Sequence, residues 1–260
     1  MKTSEFIKAL EQLAPPEYAE GWDNVGLLTG SPERDVHKVY IALDADGSAV
    51  EHAVRERCDM LITHHPLLFS AIKSIREDDF IGRRLLMMIE NRMNYYAMHT
   101  NFDVAVMADL AAEYLKLGHV VPLSVIRETS AGLKGIGCVG ESEKETTLAD
   151  LAACVKQIFD LPQVRYYGDP DGIISRIAMC PGSGKGMDTD ALDAGAQVLV
   201  TGDVDHHYGL DCVEKGLWII DAGHHGLEHI FVDYMSRWLS AEFPELEIVT
   251  DRNASPFHVV

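Results

Sequence analysis

Along the chain, short apolar runs of β character alternate with longer stretches of helical periodicity. Ser4–Leu13 is amphipathic and stops before Pro15-Pro16. Lys38–Leu43 reads as a strand ending at Asp44, Ser48–Glu56 as a helix and Asp59–Thr63 as a second strand. A helical pattern at Asp78–Glu90, a strand at Asn94–Met98 and a helix at Ala105–Leu117 follow. Strands alternating with helices at this spacing predict a mostly parallel sheet covered on both faces.

The texture changes near Val120. Leu133–Val139 is Gly-rich and extended, and Thr147–Phe159 is helical with Thr146 or Thr147 as its cap. Strands are predicted at Ile173–Met179, Gln197–Thr201, Leu217–Asp221 and Leu246–Thr250, and a helix at Leu227–Leu239. The pattern predicts an α/β protein of two lobes, each with a mostly parallel sheet flanked by helices. Residues 1–123 plus 217–260 form the first lobe and 124–216 the second.

Composition narrows the function. The 260 residues include 41 acidic and 22 basic side chains, a net charge of −19. No Lys/Arg run offers the basic footprint that nucleic acid or an anionic membrane requires. The apolar run Leu217–Ile220 is far shorter than a span of about 20 residues. Charges lie near the N-terminus where a signal peptide has its apolar core. The five cysteines are scattered without a C-x-x-C pair. That pattern predicts buried thiols in a reducing, cytoplasmic setting.

Histidine placement is the sharper signal. Twelve histidines in 260 residues yield about half an adjacent pair by chance, and counting decides here. There are three: His64-His65, His206-His207 and His224-His225. Each lies close to the end of a predicted strand, as does His99-Thr100-Asn101-Phe102-Asp103. Ligand sites of open α/β sheets lie outside the carboxyl ends of strands. Four polar turns there predict one metal site in an inter-lobe crevice.

Within these turns, His64 and His65 leave a strand together before Pro66, and neighbouring imidazoles suit two ions. If a helix starts near Gly226, His224 and Glu228 share a face at i, i+4, with the carboxylate near a helix N-terminus. Asp103 supplies a second carboxylate; its alternative is the N-cap of Ala105–Leu117. His64, His65, Asp103, His224 and Glu228 make a mixed N/O donor set without thiolate, suited to Zn, Fe, Mn, Co or Ni. Five donors are too many for one open tetrahedral ion and fit two divalent ions. Two such ions outweigh both carboxylate charges, leaving positive charge for a small anionic substrate. Paired metals of this kind carry out hydrolysis by lowering the pKa of bound water.

Gly21-Trp22-Asp23-Asn24-Val25-Gly26-Leu27, Ile62-Thr63-His64-His65-Pro66-Leu67, His99–Asp103, Gly202–His207 and Asp221–Glu228 together resemble the Nif-three-like family, whose members are often labelled GTP cyclohydrolase 1 type 2 homologues. The resemblance spans nearly the whole chain in order. It implies a two-lobed α/β fold, a dinuclear metal site on the five residues named above, and a toroidal homohexamer. It also suggests ring opening of GTP.

Three further residues are candidates for moving protons: His99, four residues before Asp103, and Asp203 and His206 after the Gln197–Thr201 strand. Asp23 and Asn24 belong to a substrate-side loop or a plain turn. Pro181–Gly186 departs from the phosphate-loop pattern at Met179 and Gly186, leaving a tight turn or a backbone anion contact. The expected function is hydrolysis of a small anionic molecule by a homo-oligomer. The alternative is a metal-binding regulatory or chaperone-like scaffold without catalysis, which would use identical ligands.

Overall fold

A computed structural model of the chain describes residues 1–130, 132–251 and 255–256. The chain divides into two compact units, Met1–Phe102 with the segment that begins at Phe231, and Asp103–Ile230.

In the first unit, α1 (Thr3–Leu13) passes through a 3-10 turn at Pro16–Tyr18 to β1 (Gly26–Thr29). Then come β2 (Lys38–Ala42), α2 (Gly47–Arg55), β3 (Met60–Thr63), α3 (Phe80–Glu90), β4 (Asn94–Ala97) and the short α4 (Thr100–Phe102). In the second unit, a π-helical turn at Asp103–Met107 runs into α5 (Ala108–Leu115). β5 (Gly118–Thr129), β6 (Gly132–Thr147), α6 (Leu148–Ile158), β7 (Arg165–Tyr167) and β8 (Ile173–Ser183) follow. They precede α7 (Asp188–Asp193), β9 (Val198–Gly202), α8 (His206–Glu214), β10 (Trp218–Asp221) and α9 (His224–Glu228). α10 (Ile230–Glu242) and β11 (Glu247–Thr250) return to the first sheet.

That first sheet has the order β1-β4-β3-β2-β11. β4, β3, β2 and β11 run parallel, and only β1 is antiparallel, on β4. β3 is buried at all four positions, as a strand covered on both faces must be. Its core joins Tyr40, Leu61 and Tyr95 of the sheet to Ala49 and Val50 of α2 and Leu85 and Met88 of α3. Asp46 and Asp79 start these two helices by accepting the Ala49 and Gly82 backbone N–H at 2.7 and 2.8 Å.

The second sheet has the order β5-β6-β8-β9-β10-β7. Only β8-β9 and β9-β10 are parallel, and the remaining three pairings are antiparallel. The expected mostly parallel arrangement therefore holds for the first sheet and is corrected to a mixed one here. The long pair β5-β6, facing solvent over much of its length, carries a local antiparallel register that needs no helical crossover. Leu199 and Ile219 centre the core of this unit with Ala178 and Cys212. The units also divide differently from the expected boundaries at 124 and 216, because β5 and β10 hydrogen-bond into the second sheet. Among the described residues, no helix is long and apolar enough to cross a membrane.

Candidate functional site

In the first unit, the histidines follow the carboxyl ends of two neighbouring parallel strands. β3 ends at Thr63, so His64 and His65 come next; β4 ends at Ala97, two residues before His99. The exit of β3 is held by Tyr95, whose hydroxyl donates to the His65 carbonyl at 3.1 Å and accepts the Leu67 N–H at 2.7 Å. One ring nitrogen from each of His64, His65 and His99 lies within 4.8 Å of the others, a grouping that can hold a metal ion.

Each of these rings is oriented through Nδ1. His64 Nδ1–H donates to the Met98 carbonyl at 2.8 Å, which fixes the tautomer and makes Nε2 the lone-pair nitrogen of the neutral ring. His65 Nδ1 meets Asp44 Oδ1 at 2.8 Å and His99 Nδ1 meets Asp23 Oδ1 at 2.9 Å. Burial pushes the Asp23 carboxyl up, but hydrogen bonds from His99 and Thr100 outweigh it and hold the pKa at about 2. Asp23 is therefore an anion at neutral pH, and His99 donates to it.

The second unit repeats the arrangement on β9 and β10. Asp203 follows β9 and His224 follows β10 by three residues, and these two strands are also parallel neighbours. His224 Nδ1 meets Asp203 Oδ2 at 2.7 Å, while its Nε2 lies 2.9 Å from Glu228 Oε2 across one turn of α9. An imidazole nitrogen and a carboxylate oxygen at that separation share a proton or a cation. Asp203 adopts φ +57°, an uncommon conformation for a residue with a side chain, and one that Asp tolerates better than most.

Two glycines make room for this pair. A Cβ on Gly182 would stand 2.1 Å from Glu228 Oε1, and one on Gly202 would stand 2.3 Å from the His224 backbone nitrogen. Asp103 lies in the π-helical turn, inside a helical stretch, so it is not the N-cap of the helix that follows. A π turn of this kind often marks a functional position. Burial, then the negative charges of Asp103 and Glu228, push the Cys180 thiol far above its ordinary range.

The donor chemistry fits a divalent metal. Metal-binding histidines characteristically donate their second ring N–H to a carboxylate or carbonyl, and four imidazoles here, His64, His65, His99 and His224, do so or stand ready to. His206 belongs to neither group. It is exposed at the start of α8, with its ring 5.2 Å from that of His207.

A model of the family Duf34/NIF3 (NGG1p interacting factor 3) matches residues 1–256. The chain belongs to the DUF34/NIF3 family. A Clostridium acetobutylicum protein called GTP cyclohydrolase 1 type 2 homolog is 33% identical, over 99% of this chain and 98% of that one. A Streptococcus pneumoniae protein of the same description is 32% identical over 99% of both. Among solved structures, a Bacillus cereus protein related to NIF3 has the same fold, with TM-score 0.90, 23% identity and coverage of 100% and 99%. Reduced HcgD from Methanocaldococcus jannaschii superposes with TM-score 0.82 at 27% identity, over 97% and 98%.

The strand-end positions of the DUF34/NIF3 histidines are legible in the sequence, whereas the orienting roles of Asp23 and Asp44 are not. Asp44 had a positional signal, since it follows β2, the parallel neighbour of β3. Asp23 had none, because it meets His99 across 76 positions.

Proposed function

We propose that this DUF34/NIF3 chain is a metal-dependent hydrolase of a small anionic molecule. His64, His65, Asp103, His224 and Glu228, which lie at or after the carboxyl ends of strands or in the turn that follows α4, would together hold two divalent ions in a homo-oligomer. The observation that carries the reading is the shared orientation of the imidazoles, each set through Nδ1 so that Nε2 serves as the donor.

Bound divalent ions would supply Lewis-acid activation of water. The chain's own residues do the rest. Asp103 and Glu228 limit the positive charge, leaving enough to attract an anionic substrate. His99, held by Asp23, takes up or returns a proton at Nε2. Asp203 orients His224, and His206 has no part in this scheme. The description of the clostridial and streptococcal relatives makes GTP ring opening the first reaction to assay.

Metal analysis of protein purified without an affinity tag tests the centre. We expect about two divalent ions per chain, and a loss in His64→Ala and Glu228→Gln. Less than one ion per chain, unchanged in both variants, overturns it. Metal-loaded protein inactive on nucleotides, phosphoesters and cyclic amides would instead favour a non-catalytic metal carrier.

A further inference from the structure

Two large aromatic side chains stand exposed beside the histidine group of the first unit. Trp22 is 60% exposed and Phe69 is 51% exposed. Their rings are nearly parallel, with centroids 6.1 Å apart and planes inclined by 16°. Both meet His99 edge-on, at 5.9 Å from Trp22 and 5.4 Å from Phe69. His99 lies 5.2 and 5.5 Å from His64 and His65. The segments carrying the pair are joined, since Asn24 Nδ2 donates to the Leu68 carbonyl at 2.7 Å. Trp22 also precedes Asp23, the residue that anchors His99.

Single exposed apolar residues are ordinary on a protein surface. A stacked exposed pair, cross-tied and set against an oriented imidazole, is a more specific arrangement. Its flat, electron-rich faces suit a planar conjugated ring, which can extend the stack irrespective of its hydrogen-bonding edge. An aliphatic chain gains no such geometric match.

We infer that Trp22 and Phe69 form a stacking platform that selects ligands carrying a planar heteroaromatic ring and holds that ring beside His99. This rests on the proposed hydrolase site and names one feature of its substrate. The ring is bound by the platform, and His99 links it to His64 and His65.

The test uses full-length protein stripped of metal, so that it does not depend on the metal centre. Guanosine and uridine serve as ring-bearing probes, and ribose 5-phosphate as the probe without a ring. Binding is measured by ligand-observed NMR and equilibrium dialysis in wild type, Trp22→Leu, Phe69→Leu and the conservative Trp22→Phe. Both residues are exposed, and circular dichroism confirms that each variant folds. We expect nucleoside binding to weaken roughly 10- to 100-fold in the two leucine variants and to persist in Trp22→Phe. Ribose 5-phosphate binding should not change, and metal content on reloading should stay at the wild-type value. Nucleoside binding that is absent in wild type, or unaltered in both leucine variants, overturns the platform. So does a change in sedimentation of Trp22→Leu with ring binding intact, which would make the pair a protein contact. A failed metal analysis with intact ring binding would sink the hydrolase site alone.

Discussion

Asp23 holds His99 by a 2.9 Å hydrogen bond to Nδ1, while its second oxygen accepts the Thr100 backbone N–H at 3.0 Å. One carboxylate thus sets both the ring and the start of the helix that leads to Asp103. The Asp23 side chain is fully buried, whereas the carboxylates that orient His65 and His224 are about half exposed.

Exposure should grade the cost of removing each carboxylate. Water can replace Asp44 or Asp203 but has no access to the place of Asp23. We expect Asp23→Asn to lower turnover or metal affinity about 10- to 100-fold, and Asp44→Asn and Asp203→Asn by less. Long-range 1H–15N NMR of the imidazoles should show a mixed His99 tautomer in Asp23→Asn only.

Acid should expose the same interaction. The folded pKa of Asp23 is about 2, below its ordinary 3.8. Its contribution to stability is therefore complete above pH 3.8 and is lost as the pH falls toward 2. The stability gap between wild type and Asp23→Asn, measured by urea denaturation, should narrow over that interval. A gap that stays constant from pH 6 to pH 2 contradicts this account.

Gly182 and Gly186 offer a matched comparison. Both have positive φ, +76° and +96°, but only at Gly182 would a Cβ meet Glu228; at Gly186 the space is open. Alanine at either position should cost about 1–2 kcal/mol of backbone strain. Gly182→Ala should in addition lose bound metal, and Gly186→Ala should not.

Thiol chemistry gives a readout independent of function. Cys154 is exposed, whereas Cys58, Cys138, Cys180 and Cys212 are buried. Burial pushes the Cys58 and Cys138 thiols up to about 12. Native protein at pH 8 should take up one iodoacetamide per chain quickly, at Cys154, and none in Cys154→Ala. The raised values also carry a sign. Unfolded thiols ionise near pH 9 and the folded ones near 12, so stability should fall across that range. Cys58→Ala and Cys138→Ala should flatten the fall.

The elements legible in the sequence were those whose burial imposes a period. β3 and β9 are buried at every position and read as apolar runs. A cap at Thr146 or Thr147 was visible, and Thr147 is the one that accepts the Asp150 N–H, at 3.1 Å. β7 was not visible, because Arg165 and Tyr166 face solvent and leave no hydrophobic pattern. α8 opens on the polar His206-His207 pair, which masks it in the sequence, although Asp205 caps it by accepting the Tyr208 N–H at 3.0 Å. The site divides in the same way. Histidines at strand ends are a local signal, whereas the partnership of Asp23 with His99 depends on distant segments meeting.

The π-helical turn at Asp103–Met107 ties the aim of Asp103 to a count of residues. A π turn holds one residue more than an α turn, and each residue in a helix rotates the chain by about 100°. Removing one residue from Val104–Met107 would let the turn relax to α geometry and swing Asp103 about a quarter turn away, with Asp103 itself unchanged. Position 103 is thus protected by the length of its segment as much as by the identity of its residue.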